Sequence, residues 1–497
     1  MKKTSALTTD FYELTMMQGF YSLGYNPDVV FDMFYRTNPF NGGYALFTGL
    51  EDLLTKLENF TFSSDDIEYL KSLKKFTPEF LDYLSTYHFS GDIYTIDEGQ
   101  VVFAGEPLVR VHSNMIEAQL IEGMLLNTLN FQTLIATKAS RMCLASNNGV
   151  IMEFGLRRAQ GDDGAMSAAR ASFVGGTQVT SHTLAGKRYG IPVAGTMAHS
   201  WIMAFDSELD SFRAFAQLYP DNAILLIDTY DTLGSGIDNA ITVGLEQKAK
   251  GLPSIGVRID SGDMSYLPRI IRDKLDAAGL TDAQICVSND MTEEIIEALV
   301  KDNVPIDSWG IGTHLVTGGF QSSLNGVYKL AAKKKAGEKS YTPTMKISNS
   351  FGKTTNPGIK QVYRFYDTEN NALADLIALN DEEMKSDEKD YTFYHPFTDS
   401  DMFIMKKGMY AKKVPLITKK MENGVRLQPE KPLREIQAEA KKNIAMFHKS
   451  YLRRINPHIY KVSLSRKLKN LKRELIAAER LKTMDEKESK SHSSWIG

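Results

Sequence analysis

From Val150 onward, apolar residues gather in short runs: Val150–Phe154, Ile191–Ala194, Ala223–Ile227, Ser254–Ile259, Gln284–Val287 and Ser308–Ile311. After a longer first step, successive runs begin about 24–32 residues apart, the spacing of a strand, a returning helix and two turns. Between them Ser207–Leu218, Gly236–Lys250, Leu267–Ala278 and Thr292–Lys301 carry helical periodicity. The alternation predicts parallel βα units forming a sheet or barrel.

The flanking regions have a different texture. Asp10 and Glu13 have capping-box spacing and predict a helix through about Tyr21, with Phe11 and Tyr12 expected in the core. Val29–Arg36 reads as a strand, and Leu50–Phe60, Ser63–Leu73 and Pro78–Tyr87 as helices. Gly91–Val111 is hairpin-like, and Ile116–Ala145 is a helical run interrupted by Gly123. After Val327 the pattern turns β-rich, including Ser350–Lys353, Gln361–Tyr366 and Ala372–Leu379. A polar link from Lys385 follows, then helices over Lys431–Leu475, and Lys482–His492 reads as a charged tail of low order. The expected divisions are 1–145 (α+β with a bridging helix), 146–335 (catalytic α/β barrel) and 336–497 (β-rich, then helical).

Composition narrows the partners. A net charge of −3 gives no bulk reason to expect nucleic acid or an anionic membrane. The basic run Lys461–Arg473 lacks aromatic interleaving and runs into glutamate, so it reads as a solvated helix face. Two cysteines in apolar contexts, Cys143 and Cys286, suit free thiols in a reducing compartment. With no run of 18 apolar residues and no apolar leader, the expectation is a soluble cytoplasmic protein.

Each apolar run is followed by polar residues or glycine: Glu153 with Arg157 and Arg158, Thr196 with His199, Asp228 with Asp231, Arg258 with Asp260 and Asp263, Ser288 with Asn289, and Gly310 through Thr313. Six such sets in succession fit the rim of a βα fold, where ligands bind. Backbone around Gly310-Ile-Gly-Thr313 can approach a phosphate closely or can be an ordinary tight turn. The arginines suit phosphate or carboxylate. Asp260 and Asp263 suit sugar hydroxyls or a Mg²⁺ carried by a diphosphate. Phe154 can stack a flat ring or simply pack. An anionic phosphosugar with a planar partner fits this set better than a peptide or a neutral glycan. His199, after a strand end, is open to packing or to chemistry.

Thr9–Met16, Pro39–Tyr44, Asn130–Lys138, Glu153–Gly161, Gly195–Ser200, Asp260–Asp263 and Asn356–Gly358 together resemble the nicotinate phosphoribosyltransferase family. The resemblance runs from about residue 5 to beyond residue 450. It implies an α/β fold: an irregular βα-barrel with a smaller, mainly β (α+β) domain built from N-terminal and C-terminal segments. It also implies a homodimer with a shared active site, and formation of nicotinate mononucleotide and pyrophosphate from nicotinate and phosphoribosyl pyrophosphate. That reaction is coupled to ATP hydrolysis, needs Mg²⁺ and serves NAD salvage. By motif, His199 resembles the histidine phosphorylated by ATP. Tyr12, Thr196 and Arg258 match nicotinate-binding positions, with Tyr12 given by the neighbouring subunit. Thr313 matches a phosphoribosyl-binding position, Phe154 and Arg157 the ring-stacking and phosphate-binding positions, and Gly312 and Asp260 stand beside them.

Nicotinamide-specific relatives carry an aspartate after a Gly-Thr pair. Here Gln178 follows Gly176-Thr177 and adds no anion, which favours the acid over the amide. Quinolinate enzymes are much shorter. A non-catalytic scaffold would need the matched rim to be fortuitous, and an aldolase or glycosidase lacks the lysine or acid pair it needs.

Overall fold

The computed structural model describes residues 4–147, 149–348, 353–384, 389–398 and 400–493. The chain forms two compact units: Phe131–Ser323 with Pro432–Lys441, and Met1–Asn130 with Leu324–Lys431 and Lys442–Gly497. The division falls inside the helix Glu122–Ala145. N-terminal and C-terminal segments do share one unit, but it is the larger of the two, not the smaller.

The first unit is built on six strands: β1 (Val150–Glu153), β2 (Val179–Thr180), β3 (Ile224–Leu226), β4 (Gly256–Ile259), β5 (Gln284–Val287) and β6 (Ser308–Ile311). Their order is β2-β1-β6-β5-β4-β3, every pairing parallel, with β2 and β3 at the ends. Val257, Ile259, Ile285 and Val287 are fully buried, as strands covered on both faces require. Parallel strands bring all their carboxyl ends to one side, and that is what positions the site.

One expected strand is absent. Pro192 interrupts Ile191–Ala194, which forms a single parallel bridge from Val193 to Thr180. Thr180 N–H donates to the Pro192 carbonyl and Ala194 N–H to the Thr180 carbonyl, both at 3.0 Å. The strand beside β1 is Val179–Thr180, two residues long and too short to leave a period.

The second unit holds two larger sheets. A seven-stranded antiparallel sheet contains Asp28–Tyr35 in its interior, flanked by Gly326–Lys334 and Val109–Asn114. A six-stranded sheet centres on Lys461–Leu464, Ala372–Leu379 and Lys360–Tyr366. Phe365, Leu376, Tyr391, Phe393 and Met405 form a buried cluster on it. Lys461–Leu464 lies where helix was expected, and it pairs parallel with Ala372–Leu379.

The expected strand at Ser350–Lys353 and the link from Lys385 fall mostly outside the described residues. The charged C-terminal segment is helical, continuing Arg466–Ser493, where low order was expected. Near the start of that helix, in the basic run read as a solvated face, two lysines are buried and bonded: Lys469 Nζ donates to the His395 carbonyl at 3.0 Å, and Lys472 Nζ to Asn356 Oδ1 at 2.9 Å. Among the described residues, no helix is long and apolar enough to cross a membrane. Cys143 and Cys286 are free thiols.

The N-terminal helix, Phe11–Ser22, departs from its sequence reading. Asp10 occupies the N-cap without a side-chain cap bond, so the expected capping box is not made. Glu13 is instead fully buried, and burial pushes its carboxyl up to about 7. Phe11 and Tyr12, expected in the core, are about half exposed, at 49% and 50%.

A buried charged cluster in the same unit yields a stability prediction. Arg364 grips Asp375 with Nε–Oδ1 at 2.9 Å and Nη2–Oδ2 at 2.6 Å, and Tyr460 Oη donates to Asp375 Oδ1 at 3.0 Å. Glu106 is buried beside them, and desolvation together with the Asp375 charge holds its carboxyl well above the usual range. An acid whose folded pKa is raised has its full stabilising effect below its unfolded pKa. That effect is lost as pH rises towards the folded value. Glu106→Gln keeps an acceptor for the Phe103 N–H, which Glu106 Oε2 accepts at 2.9 Å, and removes the titration. Urea unfolding between pH 5 and 8 is expected to show the wild type losing stability relative to Glu106→Gln as pH rises. A constant difference would show that Glu106 does not titrate there.

Candidate active site

The carboxyl ends of the parallel strands surround a cavity of about 680 Å³. Phe154, Arg157 and Arg158 reach it after β1, and Ser181 after β2. Gly195 through His199 come from the bridging segment. Arg258 and Asp260 follow from β4, Ser288, Asn289 and Asp290 from the end of β5, and Gly310, Gly312 and Thr313 from β6. Of the residues read from sequence, Phe154, Arg157, Thr196, His199, Arg258, Asp260, Gly312 and Thr313 are brought together here.

Arg258 organises one wall. Its guanidinium donates through Nη1 to Thr196 Oγ1 and through Nη2 to the Met197 carbonyl at 2.8 Å. Nε is buried with no hydrogen-bond partner among the described residues. Burial pulls the guanidinium below its ordinary value. A cation in this position has a strong requirement for a further acceptor.

Beside it, the dipeptide after β3 ties two loops. Asp228 Oδ2 accepts the Asp260 N–H at 2.8 Å and the Ser261 hydroxyl at 2.7 Å. Asp260 Oδ1 accepts the Ser288 hydroxyl at 2.9 Å. His199 opens the short helix His199–Met203, and its Nδ1 lies 3.0 Å from Thr229 Oγ1.

Glu153 clamps the opposite wall. Its carboxylate accepts the Gly155 N–H at 2.5 Å and the Thr180 hydroxyl, while burial raises its pKa. The clamp fixes the turn that carries Phe154. Gly310 in β6 and Gly312 just after it make room for Phe154: a Cβ at Gly310 would stand 2.7 Å from Phe154 Cδ2, and one at Gly312 3.2 Å from the Phe154 carbonyl oxygen. Close approach at this turn therefore serves Phe154 at least as much as a phosphate.

Three expectations fall elsewhere. Asp263 is exposed and does not line the cavity; its Oδ1 accepts the N–H groups of Ser265 and Tyr266 at 2.8 and 2.9 Å. Those bonds hold its carboxyl below the usual range. Gln178 does not line the cavity either, because its Oε1 accepts the Ile151 N–H at 2.7 Å; Ser181 occupies the wall instead. Tyr12 belongs to the other unit and is not among the lining residues. Sequence reasoning missed the contributions of Ser181, which directly follows β2, and Thr229, three residues past the end of β3 and next to Asp228.

Among the described residues, no group of three or more His, Cys, Asp or Glu side chains is arranged to hold a metal ion by itself. Two carboxylates, Asp260 and Asp290, do line the cavity. That donor set suits Mg²⁺ brought in on phosphate oxygens, since magnesium keeps few protein ligands.

The chain matches known proteins over most of its length. Residues 7–130 match the nicotinate phosphoribosyltransferase (NAPRTase) N-terminal domain, 150–382 the NAPRTase family, and 359–472 the nicotinate phosphoribosyltransferase C-terminal domain. The chain is 39% identical over 464 residues to nicotinate phosphoribosyltransferase of Bacillus subtilis, covering 93% of each chain. It is 36% identical to that of Caenorhabditis elegans, covering 93% of this chain and 92% of the relative. The crystal structure of human nicotinic acid phosphoribosyltransferase superposes with a TM-score of 0.82 at 28% identity, covering 94% of this chain and 99% of that one.

Proposed function

We infer the working of the cavity from the premise that the chain belongs to the nicotinate phosphoribosyltransferase family. The protein is a nicotinate phosphoribosyltransferase. Phe154, Thr196, His199, Arg258, Asp260 and Thr313 converge on one cavity, and that convergence carries the assignment.

In this reading the pyridine ring stacks on Phe154, and its carboxylate meets Thr196 and the guanidinium of Arg258. Arg157 and the backbone around Gly312 and Thr313 hold the phosphoribosyl phosphate. Asp260 faces the ribose and diphosphate. The ring nitrogen attacks C1 of the ribose as pyrophosphate leaves. The transition state is cationic at C1, so the protein contributes by positioning and by charge stabilisation. Mg²⁺, when bound, neutralises the leaving diphosphate, and Asp260 and Asp290 are the side chains that would hold it.

ATP coupling runs through His199 as a phosphoryl acceptor. The parallel sheet curls into an irregular barrel around these strand ends. A homodimer shares the site, with Tyr12 of one copy completing the cavity of the other; half-exposed Phe11 and Tyr12 on one helix support such a contact. The reaction runs in the cytoplasm, in keeping with two free thiols.

Acid selectivity follows from the charges present. The amide group of nicotinamide brings no anion to Arg258, and the wall carries the neutral hydroxyl of Ser181 where a carboxylate would be needed to accept its N–H groups. With phosphoribosyl pyrophosphate and Mg²⁺, nicotinate is expected to turn over at least about 10²-fold faster than nicotinamide, and ATP to stimulate the reaction. Equal rates for acid and amide would overturn the Arg258–carboxylate assignment.

A further inference from the structure

His199 is tied down on either side of its ring. Upstream, the Met197 carbonyl accepts from Arg258 Nη2 at 2.8 Å. Downstream, Trp201 Nε1 donates to the Ser211 carbonyl at 3.1 Å, and its indole packs against Phe205 and Phe215. With the backbone anchored at both ends, what remains to be set is the rotation and tautomer of the imidazole. Among the described residues the ring makes one hydrogen-bond contact, Nδ1 to Thr229 Oγ1 at 3.0 Å. Thr229 is itself well placed for this. It follows Asp228, which holds the Asp260–Ser261 loop, so one dipeptide registers the histidine against the loop expected to meet the diphosphate.

We propose that Thr229 is a positioning residue: its hydroxyl oxygen accepts the Nδ1–H of His199, fixing the ring and leaving Nε2 as the phosphoryl acceptor. The proposal rests on the phosphohistidine reading above. The Nε2 lone pair forms the bond to the γ-phosphorus of ATP. The bond from that phosphorus to the β,γ-bridging oxygen breaks, and ADP takes the electron pair. No proton moves, because Nδ1 keeps its hydrogen throughout. The developing positive charge on the ring strengthens the bond to Thr229, so the contact favours the phosphorylated state over the free one. Second-sphere hydroxyls of this kind set the tautomer without touching the substrate.

The test labels the protein with γ-labelled ATP and identifies the phosphohistidine isomer by ³¹P NMR after denaturation. Wild-type protein is expected to carry the label on Nε2. Thr229→Val, which keeps the shape and removes the acceptor, is expected to label about 10-fold more slowly and to yield some Nδ1 isomer. Thr229→Ser is expected to stay within about 2-fold of wild type, because it restores the hydroxyl. An unchanged rate and isomer in Thr229→Val, or wild-type label on Nδ1, overturns the role of Thr229. Absence of label in the wild type, or label retained in His199→Ala, overturns the phosphohistidine reading itself. The wild-type isomer is read without any substitution, so the test does not depend on a variant folding.

Discussion

Replacing His199 with alanine is expected to abolish ATP-dependent stimulation and to lower nicotinate-dependent ATP hydrolysis by about 10²–10³-fold. The loss is large because the substitution removes the attacking atom. The neighbouring hydroxyls of Ser181, Thr196 and Ser288 are weak nucleophiles at neutral pH, and none replaces the imidazole nitrogen as an acceptor. The side chain is partly exposed at the first position of a short helix, so truncation leaves the packing around Trp201 intact. The ratio of ADP formed to nicotinate mononucleotide formed is the decisive readout. A ratio unchanged from wild type would remove His199 from the coupling step.

Arg258→Met should have the next largest effect, a loss of about 10²–10³-fold in kcat/KM for nicotinate. Methionine follows the path of the arginine stem but carries no charge. It leaves Thr196 Oγ1 and the Met197 carbonyl without their donor, so it acts on both the substrate and the loop that leads to His199. Lysine retains the charge and lacks the fork that serves both acceptors. Arg258→Lys should therefore recover little of the loss. Recovery to within about 3-fold of wild type would mean that charge alone is required, and that the fork geometry is incidental. Nicotinamide turnover, already without the carboxylate contact, should fall less than nicotinate turnover.

Long periodic elements were legible in the sequence, and short tertiary ones were not. β4, β5 and β6 lie within or at their apolar runs, because a strand buried on both faces must be apolar throughout. Val179–Thr180 was invisible: two residues of strand leave no period, and their place is set by pairing with Met152 and Glu153. Lys461–Leu464 hid among lysines and arginines, because its position depends on a partner about 90 residues earlier. At the site, residue types that advertise chemistry (Arg258, His199, Asp260) were legible. Asp263 was misread since carboxylates that cap a helix and carboxylates that meet a metal look alike until the acceptor bonds are seen. Thr229 gave the opposite error, an ordinary residue made important by one 3.0 Å contact.

The unit that carries the cavity takes its final piece, Pro432–Lys441, from far along the chain. Gln437 Nε2 donates to the carbonyls of Phe173 at 2.6 Å and Thr177 at 2.9 Å, closing the segment just before β2. During synthesis that segment leaves the ribosome well after Ser323, a delay on the order of 10 s at ordinary elongation rates. For that interval the Phe173 and Thr177 carbonyls have no Gln437 to meet, and the nascent unit presents an uncovered face. Nascent chains halted before Pro432 should therefore engage holdase chaperones, and full release should wait until Lys461–Leu464 has also emerged to join its sheet.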